Sequence, residues 1–392
     1  MSWFGRSKLP EVGTTVFTVM SRRAQELGAI NLGQGFPDYD IDPRLSEQVA
    51  EAMRRGHNQY APMEGLPALR AAIARKLEAG YGLRVDPQDE VTVTLGATEA
   101  IYSAIQALAG PGDEVIAFDP AYDAYEPAVR LAGARCIRLP LAPPQFRYDW
   151  DRVRDARTER TRLILLNTPH NPTCTVASPH DLDALASIVT ERPITVLSDE
   201  VYEHMVFDGR AHASVLAHPR LRERSLAVFS LGKTLHATGL RVGYAVAPPA
   251  LTAELRKVHQ FNTFSIAHPL QQAIARYLEE CPDTGADLPG FFQAKRDRLR
   301  AALGGCALRL PPAAGTFFQL VDFSRLAPPD DAAFAERLLT EAGVASIPLS
   351  PFYAAAPPLA CVRLCIAKRD ATLDAAAERL GAFAHRLARA GA

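Results

Sequence analysis

No stretch of the sequence approaches the ~18 consecutive apolar residues that a membrane helix needs, so no spanning segment is expected. There is no excess of one charge either: 43 Lys and Arg stand against 44 Asp and Glu, a formal net charge of -1. That balance projects no long-range field, so neither nucleic acid nor an anionic membrane is an expected partner. The opening residues, Met1-Ser-Trp-Phe-Gly-Arg, lack a charged segment leading into an apolar run and a cleavage site, and no signal peptide is read. Cysteine is sparse. The six, Cys136, Cys174, Cys281, Cys306, Cys361 and Cys365, are scattered, as expected of reduced thiols in a cytoplasmic protein. No second Cys or His pair stands at ligand spacing, so no metal is expected. Repeats and low-complexity stretches are absent. What is abundant is apolar residue, 48% of a 392-residue chain, enough to bury a large core.

The apolar residues come in short runs. Val91–Leu95, Glu114–Phe118, Leu163–Asn167, Ile194–Ser198, Leu226–Phe229 and Val242–Val246 read as strands buried on both faces. A helical pattern over Thr98–Ala109 and a turn at Gly110–Asp113 separate the first two. Strand–helix alternation predicts a doubly wound, mostly parallel α/β sheet. The last third changes texture. Helical patterns near Leu288–Leu303, over Asp331–Ala342 and from Leu373 alternate with Thr316–Val321, Val344–Ile347 and Cys361–Ile366, an α+β pattern. The boundary falls near residue 285. Residues 40–285 are expected to form a large domain, and 1–39 with 286–392 a small one.

Four signals carry chemistry. Ser230-Leu-Gly-Lys233 follows a strand, with Arg241 downstream. A lysine that forms imines must be partly unprotonated near neutral pH, which burial or a nearby cation arranges. Arg241 suits a phosphate, and Ser230 adds a hydrogen bond. Alone, Lys233 reads more readily as one surface lysine of many. Gly96-Ala97-Thr98-Glu99 joins a strand to a helix, and a helix N-terminus offers N–H groups to phosphate; the bland alternative makes Thr98 an ordinary N-cap. Ser198-Asp199-Glu-Val-Tyr202 closes a buried strand. Asp199 there suits a protonated ring nitrogen and Tyr202 a ring oxygen, or Asp199 caps a helix. Asn167-Thr-Pro-His-Asn171-Pro-Thr is a stiff loop whose Asn171 can donate to a cofactor oxygen, or a plain Pro-rich turn.

Together these motifs resemble those of the fold type I, pyridoxal-phosphate-dependent class I/II aminotransferases, from about residue 8 to the C-terminus. Ile30–Asp38, Asn58–Gly65, Asp119–Pro127, Ala213–Pro219 and Arg256–Ser265 resemble the bacterial methionine-type members most, and the kynurenine/glutamine type less. The resemblance implies pyridoxal 5'-phosphate bound as a Schiff base on Lys233, with Asp199 on the ring nitrogen and Asn171 and Tyr202 on the ring oxygen. It implies Tyr122 on the ring face, and Ala97, Thr98, Ser230 and Arg241 on the phosphate. Tyr60 would enter from the partner subunit of a homodimer with shared active sites. Arg363, with the backbone at Gly35, would hold the substrate carboxylate. By residue chemistry alone, a buried acidic side chain would satisfy Arg363 as well. His170 is expected just outside the site. Leu231 and Leu235 depart from the methionine-type pattern, which usually has Phe and often Tyr there.

The expected reaction is a ping-pong transamination of methionine and other large neutral or aromatic L-amino acids with a 2-oxo acid. The aromatic N-terminal segment, Phe17, Phe36 and Tyr39, favours such substrates. A cysteine-S-conjugate β-lyase or a kynurenine/glutamine-type aminotransferase on the same site is the alternative. A serine hydrolase built on Ser230-x-x-Lys233 lacks its companion motifs. A regulator would need a DNA-binding segment for which the short stretch before the match leaves little room.

Overall fold

The computed structural model describes residue 5 and residues 7–390. The Met1–Arg6 segment, apart from Gly5, lies outside the described residues. The central sheet has seven strands: β1 (Val91–Thr94), β2 (Glu114–Asp119), β3 (Arg135–Pro140), β4 (Thr161–Asn167), β5 (Thr195–Asp199), β6 (Ser225–Ser230) and β7 (Gly243–Val246). They lie in the order β1-β7-β6-β5-β4-β2-β3. Strands β2 to β6 are mutually parallel, and β7 is antiparallel to both β1 and β6.

The apolar runs explain the covering on both sides. Val115, Ala117, Leu163, Leu165 and Leu197 pack with the helix Gly96–Leu108, whereas Ile116, Phe118, Ile164, Leu166 and Val196 join the core on the opposite face. Successive residues of a strand point to opposite faces, so a strand covered twice reads as one continuous apolar run. Strand β3 escapes that criterion. It is an edge strand, Arg135-Cys-Ile-Arg-Leu-Pro140, in which only Leu139 is buried.

The last third builds a three-stranded antiparallel sheet from β8 (Phe318–Asp322), β9 (Ile347–Pro348) and β10 (Cys361–Cys365), in the order β9-β10-β8. The helices Leu288–Ala302, Asp331–Arg337 and Asp370–Ala390 accompany it, the second continued by a wider turn, Leu338–Ala342. The expected strand Val344–Ile347 is divided at Ser346. Val344–Ala345 pairs in parallel with Ile30–Asn31, and Ile347–Pro348 pairs with β10. The N-terminal segment is thereby laid beside β10, where the Cys365 N–H donates to the Leu32 carbonyl at 2.7 Å. No helix among the described residues is long and apolar enough to cross a membrane.

A buried polar cluster ties the helix Pro67–Tyr81 to the sheet. Lys76 Nζ lies 2.7 Å from Glu203 Oε1 and donates to the Tyr244 hydroxyl at 3.2 Å; the Tyr81 hydroxyl donates to the other Glu203 oxygen. Burial alone would raise the Glu203 pKa, but Lys76, His204 and Tyr81 outweigh it and hold the carboxyl at about 2. This carboxylate therefore contributes stability above about pH 4.5, its unfolded value, and loses it as pH falls toward 2. Removing its cation leaves an uncompensated buried charge. Lys76→Met should lower the unfolding free energy by about 3–5 kcal/mol in urea titrations at pH 7.

Candidate active site

Strand β6 ends at Ser230, and a single helical turn, Leu231–Thr234, follows. It aims Lys233 across the molecule. Nζ lies 3.3 Å from the Gly35 carbonyl, 4.9 Å from the centre of the Phe317 ring and 5.8 Å from that of Tyr202. Burial lowers the Lys233 pKa to about 8, with Arg241 and Arg363 acting the same way and Cys365 and Asp199 opposing. A neutral amine is thus accessible near neutral pH. Gly35 is a close approach: a Cβ there would come within 2.9 Å of Phe318.

The cup forms where β1 turns into the helix Gly96–Leu108. Gly96 has φ +70°, and a Cβ on it would lie 2.7 Å from an Arg241 guanidinium nitrogen. Both the left-handed backbone and the contact therefore select glycine. The residue at the cap is Leu95, which supplies no side-chain hydrogen bond. Thr98 lies inside the first turn, so the ordinary N-cap reading of Thr98 does not hold. Arg241, itself left-handed at φ +53°, donates to the Thr238 carbonyl at 3.3 Å and has no carboxylate partner among the described residues. Orphan N–H groups and an unpaired guanidinium make an anion site.

Asp199 ends β5, opposite Asn167 at the end of β4. A turn follows it rather than a helix, so Asp199 is not a helix cap. Its Oδ2 accepts from the Tyr125 hydroxyl at 2.6 Å and its Oδ1 from the Val201 N–H at 3.3 Å. Burial raises its pKa to about 6 against these hydrogen bonds and the charge of Lys233. Among the described residues no cation bridges it. Asn167 Nδ2 donates to the Asp199 carbonyl at 2.9 Å, and its Oδ1 accepts the Asn171 N–H at 2.9 Å. Sequence reasoning gave Tyr125 and Asn167 no role, although both stand in the stretches that drew attention.

Arg363 lies mid-strand in β10 and is 1% exposed, yet it forms no salt bridge among the described residues. One nitrogen donates to Asn171 Oδ1 and another to the Gly33 carbonyl at 3.2 Å; Nε has no partner. The guanidinium stands 3.8 Å from the centre of the Phe318 ring, with Phe17 at 5.2 Å and Phe352 at 5.7 Å. Burial pushes its pKa down. The alternative of a buried acidic partner is therefore not realised among the described residues.

A cavity of about 140 Å³ is lined by Ala97, Thr98, Tyr122, Asn171, Asp199, Tyr202, Ser230, Lys233 and Arg241. A hollow of about 660 Å³ shares Tyr122 as a wall and is bounded by Val16, Asp123, Arg138 and Phe352. Arg363 and Gly35 adjoin the cavity through Asn171 and Lys233. Tyr60 stays outside it, 82% exposed, its ring centre 5.3 Å from that of Phe264 in an edge-to-face contact. His170 pairs with Thr173 at 2.7 Å, and burial lowers its pKa to about 3. Leu231 and Leu235 are buried in the core and do not line the cavity, so their departure from the methionine-type pattern does not reshape its wall.

Residues 28–380 match the family model of aminotransferase classes I and II. The methionine aminotransferase of Escherichia coli (strain K12) is 52% identical, over 96% of this chain and 97% of that one. The crystal structure of YbdL from Escherichia coli, reported with a methionine aminotransferase function, superposes with a TM-score of 0.95 over 97% of this chain and all of that one. The N-succinyldiaminopimelate aminotransferase of Mycobacterium tuberculosis, 39% identical, gives 0.92 over 97% of this chain and 100% of that one. With its half-buried lysine, its cup and its unpaired arginine in one place, the chain belongs to the class I and II aminotransferases.

Proposed function

We propose that this protein transfers the amino group of methionine, and of other large neutral or aromatic L-amino acids, to a 2-oxo acid. The carrying observation is that a lysine with a pKa near 8 shares one cavity with a buried, unbridged carboxylate. The residues fit pyridoxal 5'-phosphate. The orphan first turn at Ala97 and Thr98, with Ser230 and the unpaired Arg241, would take the phosphate. Asp199 would face the ring nitrogen, Asn171 and Tyr202 the ring oxygen, and Tyr122 the ring face; Lys233 would hold the aldehyde carbon. When bound, the group supplies a ring that accepts the electrons left at the substrate Cα.

The protein's part is positioning and proton transfer. Arg363, preset by Asn171 and Gly33, orients the α-carboxylate by a two-pronged contact, and the backbone at Gly35 borders the same space. Lys233 Nζ, once free and neutral, would take the α-proton and return it two atoms along, to the carbon beyond the substrate nitrogen. The same site serves both half-reactions, so ping-pong kinetics follow. Two features support a neutral side chain. Phe17 and Phe352 flank Arg363, and the two arginines bounding the hollow already hold carboxylates, Arg130 with Glu11 and Arg138 with Asp119 and Glu126. The relative from Escherichia coli is named a methionine aminotransferase, which supports methionine as a donor here. We further infer a large domain, 40–285, and a small one, 1–39 with 286–392, in a cytoplasmic homodimer. The exposed aromatics Tyr60, Phe261 and Phe264 support such an interface, with Tyr60 serving the partner's site.

Adding single amino acids to the cofactor-loaded enzyme should bleach its visible band fastest for methionine and aromatic residues, and the Lys233→Ala protein should show neither the lysine-linked band nor turnover. Equal rates for aspartate would overturn the substrate reading, and pyruvate with ammonia from cysteine conjugates would mark a β-lyase. Arg363→Lys should raise KM for amino and oxo acids about 100-fold, about 2.7 kcal/mol, while cofactor affinity changes little. Asp199 has a raised pKa, so its charge costs stability above about pH 6 and nothing below 3.8. In the apoprotein, Asp199→Asn should therefore be more stable at pH 8, by up to about 3 kcal/mol, with the gain fading between pH 6 and 3.8. Thermal melts across pH, alongside lost activity, check this.

A further inference from the structure

Two buried residues outside the cavity join the cup to the loop that carries Tyr60. Glu99 sits in the first turn of the helix Gly96–Leu108, and its carboxylate accepts from the Leu95 N–H at 3.2 Å and from the Ser103 hydroxyl at 2.6 Å. Its third partner is His259 of the helix Pro249–Asn262, which is fully buried, with Nδ1 3.0 Å from Glu99 Oε1. The other ring nitrogen, Nε2, lies 3.1 Å from the Met63 carbonyl oxygen. Both neighbours are acceptors. The carbonyl carries no proton, and although burial would raise the Glu99 pKa, the contacts with His259, Ser103 and Leu95 outweigh it and hold the carboxyl below its usual value. A neutral imidazole has one N–H, which would leave its other nitrogen facing an oxygen lone pair in a dry interior. The ring satisfies both neighbours only as an imidazolium.

We propose that His259, as an imidazolium clamped between Glu99 and the Met63 carbonyl, is a positioning residue that sets the phosphate cup against the Tyr60 loop. Leu95 brings no capping side chain, and Glu99 is the group that grips the Thr94–Leu95 peptide, one residue before Gly96 where the cup begins. His259 fixes where Glu99 stands. On its other side, the loop is gripped again by the Ser265 hydroxyl on the Ala61 carbonyl at 2.8 Å and by His268 on the Gln59 carbonyl at 3.1 Å. The cup and the loop therefore move as one body. The inference rests on the reading of the cup as a phosphate site.

The test compares pyridoxal 5'-phosphate with pyridoxal, which lacks the phosphate, on the apoenzyme. His259→Gln and Glu99→Gln should each weaken pyridoxal 5'-phosphate binding by about tenfold or more while pyridoxal affinity changes less than about twofold. Should His259→Gln fail to fold, Glu99→Gln, which keeps the shape and removes the charge, carries the comparison. Equal losses for the two compounds, or a lowered melting temperature with both affinities intact, overturns the positioning role. Nitrogen NMR of the wild-type apoprotein should show both His259 ring nitrogens protonated, and a neutral tautomer overturns the clamp. Failure of the wild-type apoprotein to bind pyridoxal 5'-phosphate would instead sink the cofactor reading, with the NMR signal still deciding the charge of His259.

Discussion

Three ionisable groups, the buried Asp199 and Arg363 and the half-buried Lys233, crowd one region without neutralising one another, and much of the surrounding architecture follows from keeping them apart. A buried charge without a counterion is costly, and a direct lysine–aspartate or arginine–aspartate bridge would relieve that cost. No such bridge forms. Asp199 is occupied by Tyr125 and a backbone N–H, Arg363 by Asn171 and a carbonyl, and Lys233 by the Gly35 carbonyl. Neutral dipoles hold each group without cancelling its charge. That leaves the charges available to ligands with complementary ones.

The sheet makes this separation possible. Asp199, Asn167 and Ser230 stand at the carboxyl ends of adjacent parallel strands, where an open α/β sheet presents its ligand site. Asn167 links the strand layer to the loop, because one side chain holds both the Asp199 carbonyl and the Asn171 N–H. Asn171 then reaches Arg363 on the other sheet. A chain of amide hydrogen bonds therefore runs from Asp199 to Arg363 and spaces the two groups without a direct bridge.

Most of this was legible because the chemistry sits in unusual residues at strand ends. Lys233, Asp199 and the Gly96 turn break apolar runs, and a break in a buried run is visible without a structure. The strands buried on both faces were visible for the same reason. What stayed hidden was whatever looked ordinary. Strand β3 carries two arginines on a sheet edge and lacks the run that marks its neighbours. Tyr125 holds Asp199 from outside the cavity, and Asn167 holds two backbone groups while also lining it; such holding roles have no compositional mark. The division at Ser346 depends on which ladder each half joins, a matter of tertiary pairing that local pattern does not carry. Leu231 and Leu235 depart from the methionine-type pattern beside Lys233, but a helical turn points near neighbours in different directions, and both leucines face the core.

The short ladder between Ile30–Asn31 and Val344–Ala345 also bears on when the site comes into being. It delivers Gly33 and Gly35 to Arg363 and Lys233, and the Gly33–Arg363 contact spans 330 positions of chain. A ribosome releases the N-terminal wall of the site long before the strand that fixes it. Until Cys361–Cys365 emerges, a nascent chain has neither Arg363 nor the strand that Leu32 pairs with. Completion of the region around Lys233 is therefore deferred until that strand has been made.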